Sequence, residues 1–189
     1  MGDWVFRYRG FLMAPFGLLI LLFGKPTFLS FTAGALIALL GEVLRFWAVG
    51  HAGQTTRKST LDAPRLVREG PYGYVRHPLY LGNSLMGAGG LIIALGRLSP
   101  IESLLLFFAF VFFYGTVYGI LMPVEEEFLV AQFGETYHDY RKQVPRFFPT
   151  RKKFASEGER FNFSIAWKSE IHTFVPFLIV VAILAFKIR

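Results

Sequence analysis

The sequence predicts an all-α integral membrane protein of about five transmembrane helices. Three observations carry that prediction. Of the 189 residues, 53% are apolar and only 17% charged, whereas about a quarter of a soluble domain is charged. The 22 Phe residues fall in blocks rather than at amphipathic spacing. The basic residues collect in the gaps between apolar runs, as they do in the cytoplasmic loops of membrane proteins.

The first run covers 11–23 and is followed by Gly24-Lys25-Pro26. It is short of the roughly 20 residues that span a bilayer, so the helix is expected to begin near Tyr8, with Trp4, Arg7 and Arg9 as interfacial anchors. A secretory signal has a similar basic start and short apolar stretch. No small-x-small cleavage site follows, and Gly-Lys-Pro reads as a hairpin turn, so a retained helix is expected.

The second run, 28–49, is long enough to span and carries Glu42 and Arg45 on one helical face. This pair reads first as a structural intramembrane ion pair. The third, 79–95, is rich in Gly and other small residues, including Gly82, which let helices approach closely or make room for a ligand. The fourth, 101–122, is rich in Phe and ends at Pro123. The last, 171–186, contains Pro176 and ends in Lys187 and Arg189. The whole reads as one membrane domain over 1–189. It comprises an N-terminal helical hairpin (1–50), a core (64–149), and a basic segment with a C-terminal helix (150–189).

Lys and Arg are distributed unequally about these runs. The N-terminal segment and the loops 50–77 and 124–170 hold 15 of them; the alternate side holds four. The positive-inside rule then puts the N-terminus and both large loops in the cytoplasm. The net charge of +7 forms no face with interleaved base-stacking aromatics, which argues against nucleic-acid binding. The segment Arg151-Lys152-Lys153 suits anionic lipid headgroups instead. With no Cys, disulfides and thiolate chemistry are excluded, and four scattered His make a structural zinc site improbable.

Three polar clusters meet on the cytoplasmic face. Gly70-Pro71-Tyr72-Gly73-Tyr74-Val75-Arg76-His77-Pro78 leads into the third helix, where Pro78 suits the first turn and His77 the cap. Glu125-Glu126-Glu127 stands at the end of the fourth helix, where the macrodipole disfavours anions and a cationic partner would offset the cost. A partly amphipathic continuation to about Gln132 follows, with Gly134 as its stop, then Tyr137, Tyr140 and Pro145-Arg146. Taken alone, Arg76 and His77 read equally well as snorkelling interfacial side chains, and the tyrosines as belt aromatics.

Together these strings resemble the isoprenylcysteine carboxyl methyltransferase family and its phospholipid methyltransferase relatives. The likeness rests on Gly70 to Gly82, then Glu125-Glu126-x-x-Leu129, Phe133-Gly134-x-x-Tyr137-x-x-Tyr140 and Val144-Pro145-Arg146. It implies a membrane-embedded methyltransferase dependent on S-adenosyl-L-methionine. His77 and Tyr80, with Arg76 and Gly82, would contact the cofactor, and Glu125 and Glu126 would form the opposite wall. The implied partners are membrane lipids and a lipophilic or lipidated acceptor, with no metal and no obligate protein partner. O-methylation of a prenylcysteine-type carboxylate and N-methylation of a lipid amine both remain open.

One position departs from the family. Members acting on prenylated C-termini carry an Arg about a turn before the glutamates, and Leu121 stands there. Arg45 is the substitute hypothesised to meet an acceptor carboxylate. The competing functions are an NADPH-dependent membrane reductase of the sterol type and a non-catalytic membrane protein.

Overall fold

The computed structural model describes residues 2–53, 63–151, 154 and 160–188, apart from the side chains of residues 2–7, 9 and 10. The anchoring roles expected of Trp4, Arg7 and Arg9, and the headgroup contacts expected of Lys152 and Lys153, lie outside that description. Six α-helices and no strand occur among the described residues: α1 Gly2–Phe23, α2 Phe28–Ala52, α3 Pro78–Leu95, α4 Pro100–Phe133, α5 Glu135–Gln143 and α6 Phe163–Ala185. By length and composition α2, α3, α4 and α6 can each cross a membrane, and α1 contributes the shorter apolar stretch Phe11–Phe23.

Local signals explain most boundaries. Thr27 and Ser99 each close a capping box, with Ser30 and Glu102 respectively. The two turns they follow lie side by side. The Lys25 N–H donates to the Ala94 carbonyl at 3.0 Å, and the Arg97 N–H donates to the Lys25 carbonyl at 2.8 Å. The last helix begins at Phe163 rather than near 171, because the Asn162 side chain accepts from the Ile165 N–H and caps it. That extra stretch brings Glu170 inside the helix.

The fourth helix does not stop at Pro123. It continues to Phe133, and Gly134 at φ 50° ends it. Proline normally clashes with the residue four back and removes its hydrogen bond. Within a membrane bundle such a proline is accommodated by neighbouring helices and local adjustment. At 34 residues the helix is about 50 Å long, well beyond a hydrocarbon core of about 30 Å. The three glutamates lie in the part of the helix that follows its apolar stretch.

The bundle is organised around α3, which packs against α2 along a seam of four glycines. Gly34 and Gly41 of α2 meet Gly89 and Gly82 of the antiparallel α3, with a spacing of seven on both helices. A Cβ on Gly41 would come within 2.6 Å of the Gly82 carbonyl oxygen, and one on Gly82 within 2.8 Å of the Gly41 carbonyl oxygen. Backbones this close gain dispersion contact that larger side chains would prevent. Near the outer end, Phe16, Ile20, Leu91, Ile93, Leu106 and Leu184 form a shared apolar core. Lys187 there donates to the Leu21 carbonyl at 2.6 Å and the Gly24 carbonyl at 3.2 Å, capping the end of α1.

Candidate functional site

At the end of the bundle away from the Lys25 and Arg97 turns, the chain is stitched around a short 3-10 turn, Gly70–Gly73. The Arg76 N–H donates to the Pro145 carbonyl at 2.9 Å and the Thr150 N–H to the Tyr74 carbonyl at 2.9 Å. The Tyr140 hydroxyl donates to the Tyr72 carbonyl at 2.8 Å. Burial pushes the Tyr140 phenol up, so it stays a protonated donor. Tyr137, Tyr140 and Val144 pack with Leu129, Val130 and Phe133 beneath. These bonds hold the segment after α5 against the entrance to α3.

The result is a cluster centred on Glu126, whose side chain is only 7% exposed. Arg146 grips it in a fork, with Nε donating to Oε1 at 2.9 Å and Nη2 to Oε2 at 2.7 Å. Arg76 Nη1 lies 3.2 Å from Oε1. His77, the cap of α3, places Nε2 3.1 Å from Oε1 of Glu126 and Nδ1 3.6 Å from Oε2 of Glu125. Burial alone would push the His77 imidazole down. Hydrogen bonds to Glu125 and Glu126 outweigh it, and the net shift is upward. Two guanidinium groups and the His77 imidazole therefore converge on one buried carboxylate.

An aromatic stack leads inward from this cluster. His77 lies on Tyr80 at a centroid separation of 5.4 Å, and Tyr80 on Tyr118 at 4.8 Å. Tyr118 belongs to an apolar group with Val117, Leu121 and Met122, over which Leu12 and Met13 of α1 pack. Leu121 is fully buried in it. No cation is placed at that position.

On the far side of Glu126 is an open cavity of about 420 Å³. Pro123, Val130 and Ala131 form its apolar floor, and Glu126, Glu127, Arg141 and Arg146 its charged rim. Both signs of charge thus border one cleft near the C-terminal end of α4.

The structure brings Arg76, His77, Glu125 and Glu126 into one cluster and joins Tyr80 to it by stacking. The expectation of two opposed walls meets a tighter arrangement, with His77 touching both glutamates. Gly82 is elsewhere. It faces α2, against Gly41 and the Arg45 side chain, so its missing side chain serves helix packing at that point. Arg45 also lies on the α2 side, where its guanidinium meets Glu170 of α6. Nε and Nη2 donate to Oε2 at 3.1 and 2.9 Å, and Nη2 to Oε1 at 3.0 Å. Asn83 and Thr173 accept from the same guanidinium, and Glu42 lies 3.8 Å away.

Sequence reasoning missed the fork from Arg146 to Glu126, although Val144-Pro145-Arg146 was part of the recognised pattern. It also missed Arg141 at the cavity, and noted Glu127 only as part of the glutamate run. Glu170 had no motif to announce it. Among the described residues no group of three His, Cys, Asp or Glu side chains is placed to hold a metal ion.

The sequence model of the isoprenylcysteine carboxyl methyltransferase family matches residues 33–130. The chain is 33% identical over 114 residues to a protein-S-isoprenylcysteine O-methyltransferase of Schizosaccharomyces pombe, covering 58% of this chain and 45% of that one. It is 33% identical over 127 residues to the nickel-cobalt-cadmium resistance protein NccN of Alcaligenes xylosoxydans xylosoxydans, covering 67% and 53%. With the cobalt-zinc-cadmium resistance protein CzcN of Cupriavidus metallidurans it shares 32% over 130 residues, covering 69% and 54%. The chain spans about half the length of these relatives. No solved structure matches it.

Proposed function

Because the chain belongs to the isoprenylcysteine carboxyl methyltransferase family, we propose that it is an integral membrane methyltransferase that uses S-adenosyl-L-methionine. Its acceptor is lipophilic and reaches the site from the bilayer: a prenylcysteine-type carboxylate in the first instance, or a lipid amine. One observation carries this reading. Arg146, Arg76 and His77 converge on Glu126 beside a cavity with charges of both signs.

The donor set fits the cofactor. About 420 Å³ lies within the range of small-molecule sites. The apolar floor of Pro123, Val130 and Ala131 suits a planar base, while Glu127 and Arg141 suit an ammonium and a carboxylate. Arg76, His77 and Tyr80 complete the cradle from the α3 side, and Glu125 and Glu126 from α4.

When bound, the cofactor supplies a methyl on a cationic sulfur, so an acceptor carboxylate takes it in one in-line displacement, C–O forming as C–S breaks, with no proton to move. The protein's share of such a reaction is placement and exclusion of water. Arg146 and His77 hold Glu126 in one orientation, and the stack from His77 through Tyr80 to Tyr118 keeps the inner side dry. No nucleophilic side chain is needed.

The test is transfer of a labelled methyl from S-adenosyl-L-methionine onto total membrane lipids and onto small prenylcysteines, using the purified protein. A base-labile methyl ester on the prenylcysteine is the expected product, and a base-stable label on lipid would assign the amine. No transfer to either, with binding of NADPH instead, would overturn the proposal in favour of a reductase.

A further inference from the structure

The end of the bundle that carries the Glu126 cluster also carries a continuous aromatic surface that the cradle does not use. It is built where α2 ends and α6 begins. The Asn162 N–H donates to the Gly50 carbonyl at 2.9 Å, and the Asn162 side chain caps α6, so its neighbours in sequence are laid across α2. The Phe161 ring then rests on Gly50, at a point where a Cβ would collide with it. Phe46 meets both flanking rings, Phe161 at a centroid separation of 5.8 Å and Phe163 edge-on at 5.5 Å. Phe163 in turn stacks on Trp167, one turn along α6, at 6.3 Å. Trp47, beside Phe46 in the chain, meets Tyr74 at 6.3 Å.

These rings touch one another yet stay open to the surroundings: Phe163 is 63% exposed, Trp167 57% and Trp47 40%. A contiguous patch of this kind marks an interaction surface. Tryptophan, with an apolar body and a single N–H, favours the boundary between hydrocarbon and headgroups. All three tryptophans of the chain fall within two turns of this end of the bundle, Trp4 in α1, Trp47 in α2 and Trp167 in α6, and none falls beside the Lys25 and Arg97 turns. Two exposed cations flank the rings, Arg160 directly before Phe161 and Lys168 directly after Trp167. The stretch 151–169 as a whole holds five Lys or Arg against two Glu.

We propose that Phe46, Trp47, Phe163 and Trp167, with Arg160 and Lys168 beside them, form a docking surface for anionic phospholipids, the rings at the level of the ester groups and the two cations on the phosphates. An indole keeps its body against acyl chains while its N–H donates to an ester carbonyl. The longer basic side chains extend past the rings to the phosphate oxygens. The assignment also accounts for the neighbouring ion cluster. Arg45 directly precedes Phe46, and Glu170 lies three residues beyond Trp167, about 5 Å further along α6. Their ion pair at 2.9 Å therefore lies just beneath the headgroups, away from the bilayer centre where a charge is most costly. Through the contact of Trp47 with Tyr74 the surface adjoins the segment that leads to Arg76 and His77. It thereby sets the height at which the cradle meets the membrane, whatever the cradle binds.

Fluorescence of single-tryptophan proteins in lipid nanodiscs tests both parts. Trp4→Phe with Trp47→Phe keeps Trp167 alone, and Trp4→Phe with Trp167→Phe keeps Trp47 alone; Phe46 and Phe163 stay in place, so the ring packing survives. Phosphatidylcholine brominated near the top of its chains is expected to quench either tryptophan more strongly than phosphatidylcholine brominated near the chain ends. Equal or stronger quenching by the deep bromines would put the rings in the hydrocarbon core, and no quenching by either lipid would put them in water; each result overturns the proposal. For the cations, phosphatidylglycerol and phosphatidylcholine carrying the same chain quencher are compared at Trp167. A preference for phosphatidylglycerol of about five-fold is expected at low salt, and Arg160→Gln with Lys168→Gln should bring it close to none. Equal quenching by the two lipids before that replacement, or a preference that survives it, would overturn the anionic partner.

Discussion

Two buried ion clusters, one on each side of α3, have opposite composition. Near the C-terminal end of α4, one carboxylate, Glu126, is met by two guanidinium groups and an imidazole. Deeper, between α2 and α6, one guanidinium, Arg45, faces two carboxylates. The first is locked by backbone hydrogen bonds that tie residues 73–76 to residues 145–154. The second is closed by side chains, with one backbone bond from the Asn162 N–H to the Gly50 carbonyl at 2.9 Å beside it. A rigid cluster beside a water-facing cleft suits a cofactor that arrives from water and must be held in one orientation. A cluster whose side chains join α2 to α3 and α6 suits a scaffold beneath the aromatic surface.

The comparison breaks most visibly at Glu126. Replacement by Ala strands Arg76 and His77 with Arg146 beside them, which for a buried network costs about 3–5 kcal/mol. The expected outcome is a large fall in thermal stability in detergent and loss of S-adenosylhomocysteine binding. Glu126→Gln, which keeps the shape and some hydrogen bonds, should fold better while still binding poorly.

Next in size is the glycine seam that holds α2 to α3 and so carries both clusters. Gly41→Val would drive methyl groups into the Gly82 carbonyl and the Leu85 side chain, an overpacking worth about 1–3 kcal/mol. It should weaken S-adenosylhomocysteine binding and lower thermal stability together, whereas a change at Arg45 should lower stability alone. Calorimetry beside thermal melts distinguishes the cases.

A smaller effect is expected from pH. The folded-state pKa of His77 is raised above its ordinary 6.5. Its contribution is therefore complete below that value and is lost as pH rises through the higher folded value. The melting temperature should fall between pH 6 and pH 9, and His77→Asn should flatten that fall. The smallest effect is expected at Lys25 and Glu102, an exposed pair joining the two outer turns at 2.8 Å. Removing either should leave S-adenosylhomocysteine binding unchanged.

Much of the rim cluster was legible in the sequence because its residues lie in two short strings of polar and turn-forming types beside long apolar runs. Arg76 and His77 stand directly before Pro78, and Glu125 and Glu126 directly after an apolar helix, so linear order alone suggested that they meet. The deeper cluster was not legible in this way. Arg45 and Glu170 are 125 residues apart, and Glu170 sits in a segment whose helix begins at an asparagine cap that hydropathy does not register. The role of Gly82 was ambiguous for a related reason. A glycine in a membrane helix serves a ligand or a neighbouring helix, and only the opposing Gly41 decides between them. Pro123 misled on the length of α4 because membrane helices tolerate an internal proline that would end a soluble one.

The central claim is that the Glu126 cluster and its adjoining cleft bind the methyl donor. Titration calorimetry of the detergent-purified protein with S-adenosylhomocysteine, beside the His77→Ala and Glu126→Ala variants as monodisperse particles, tests it most directly. Saturable heat for the wild type and none for either variant is the predicted result. Full binding by both variants, or heat with NADPH and none with S-adenosylhomocysteine, would contradict the account.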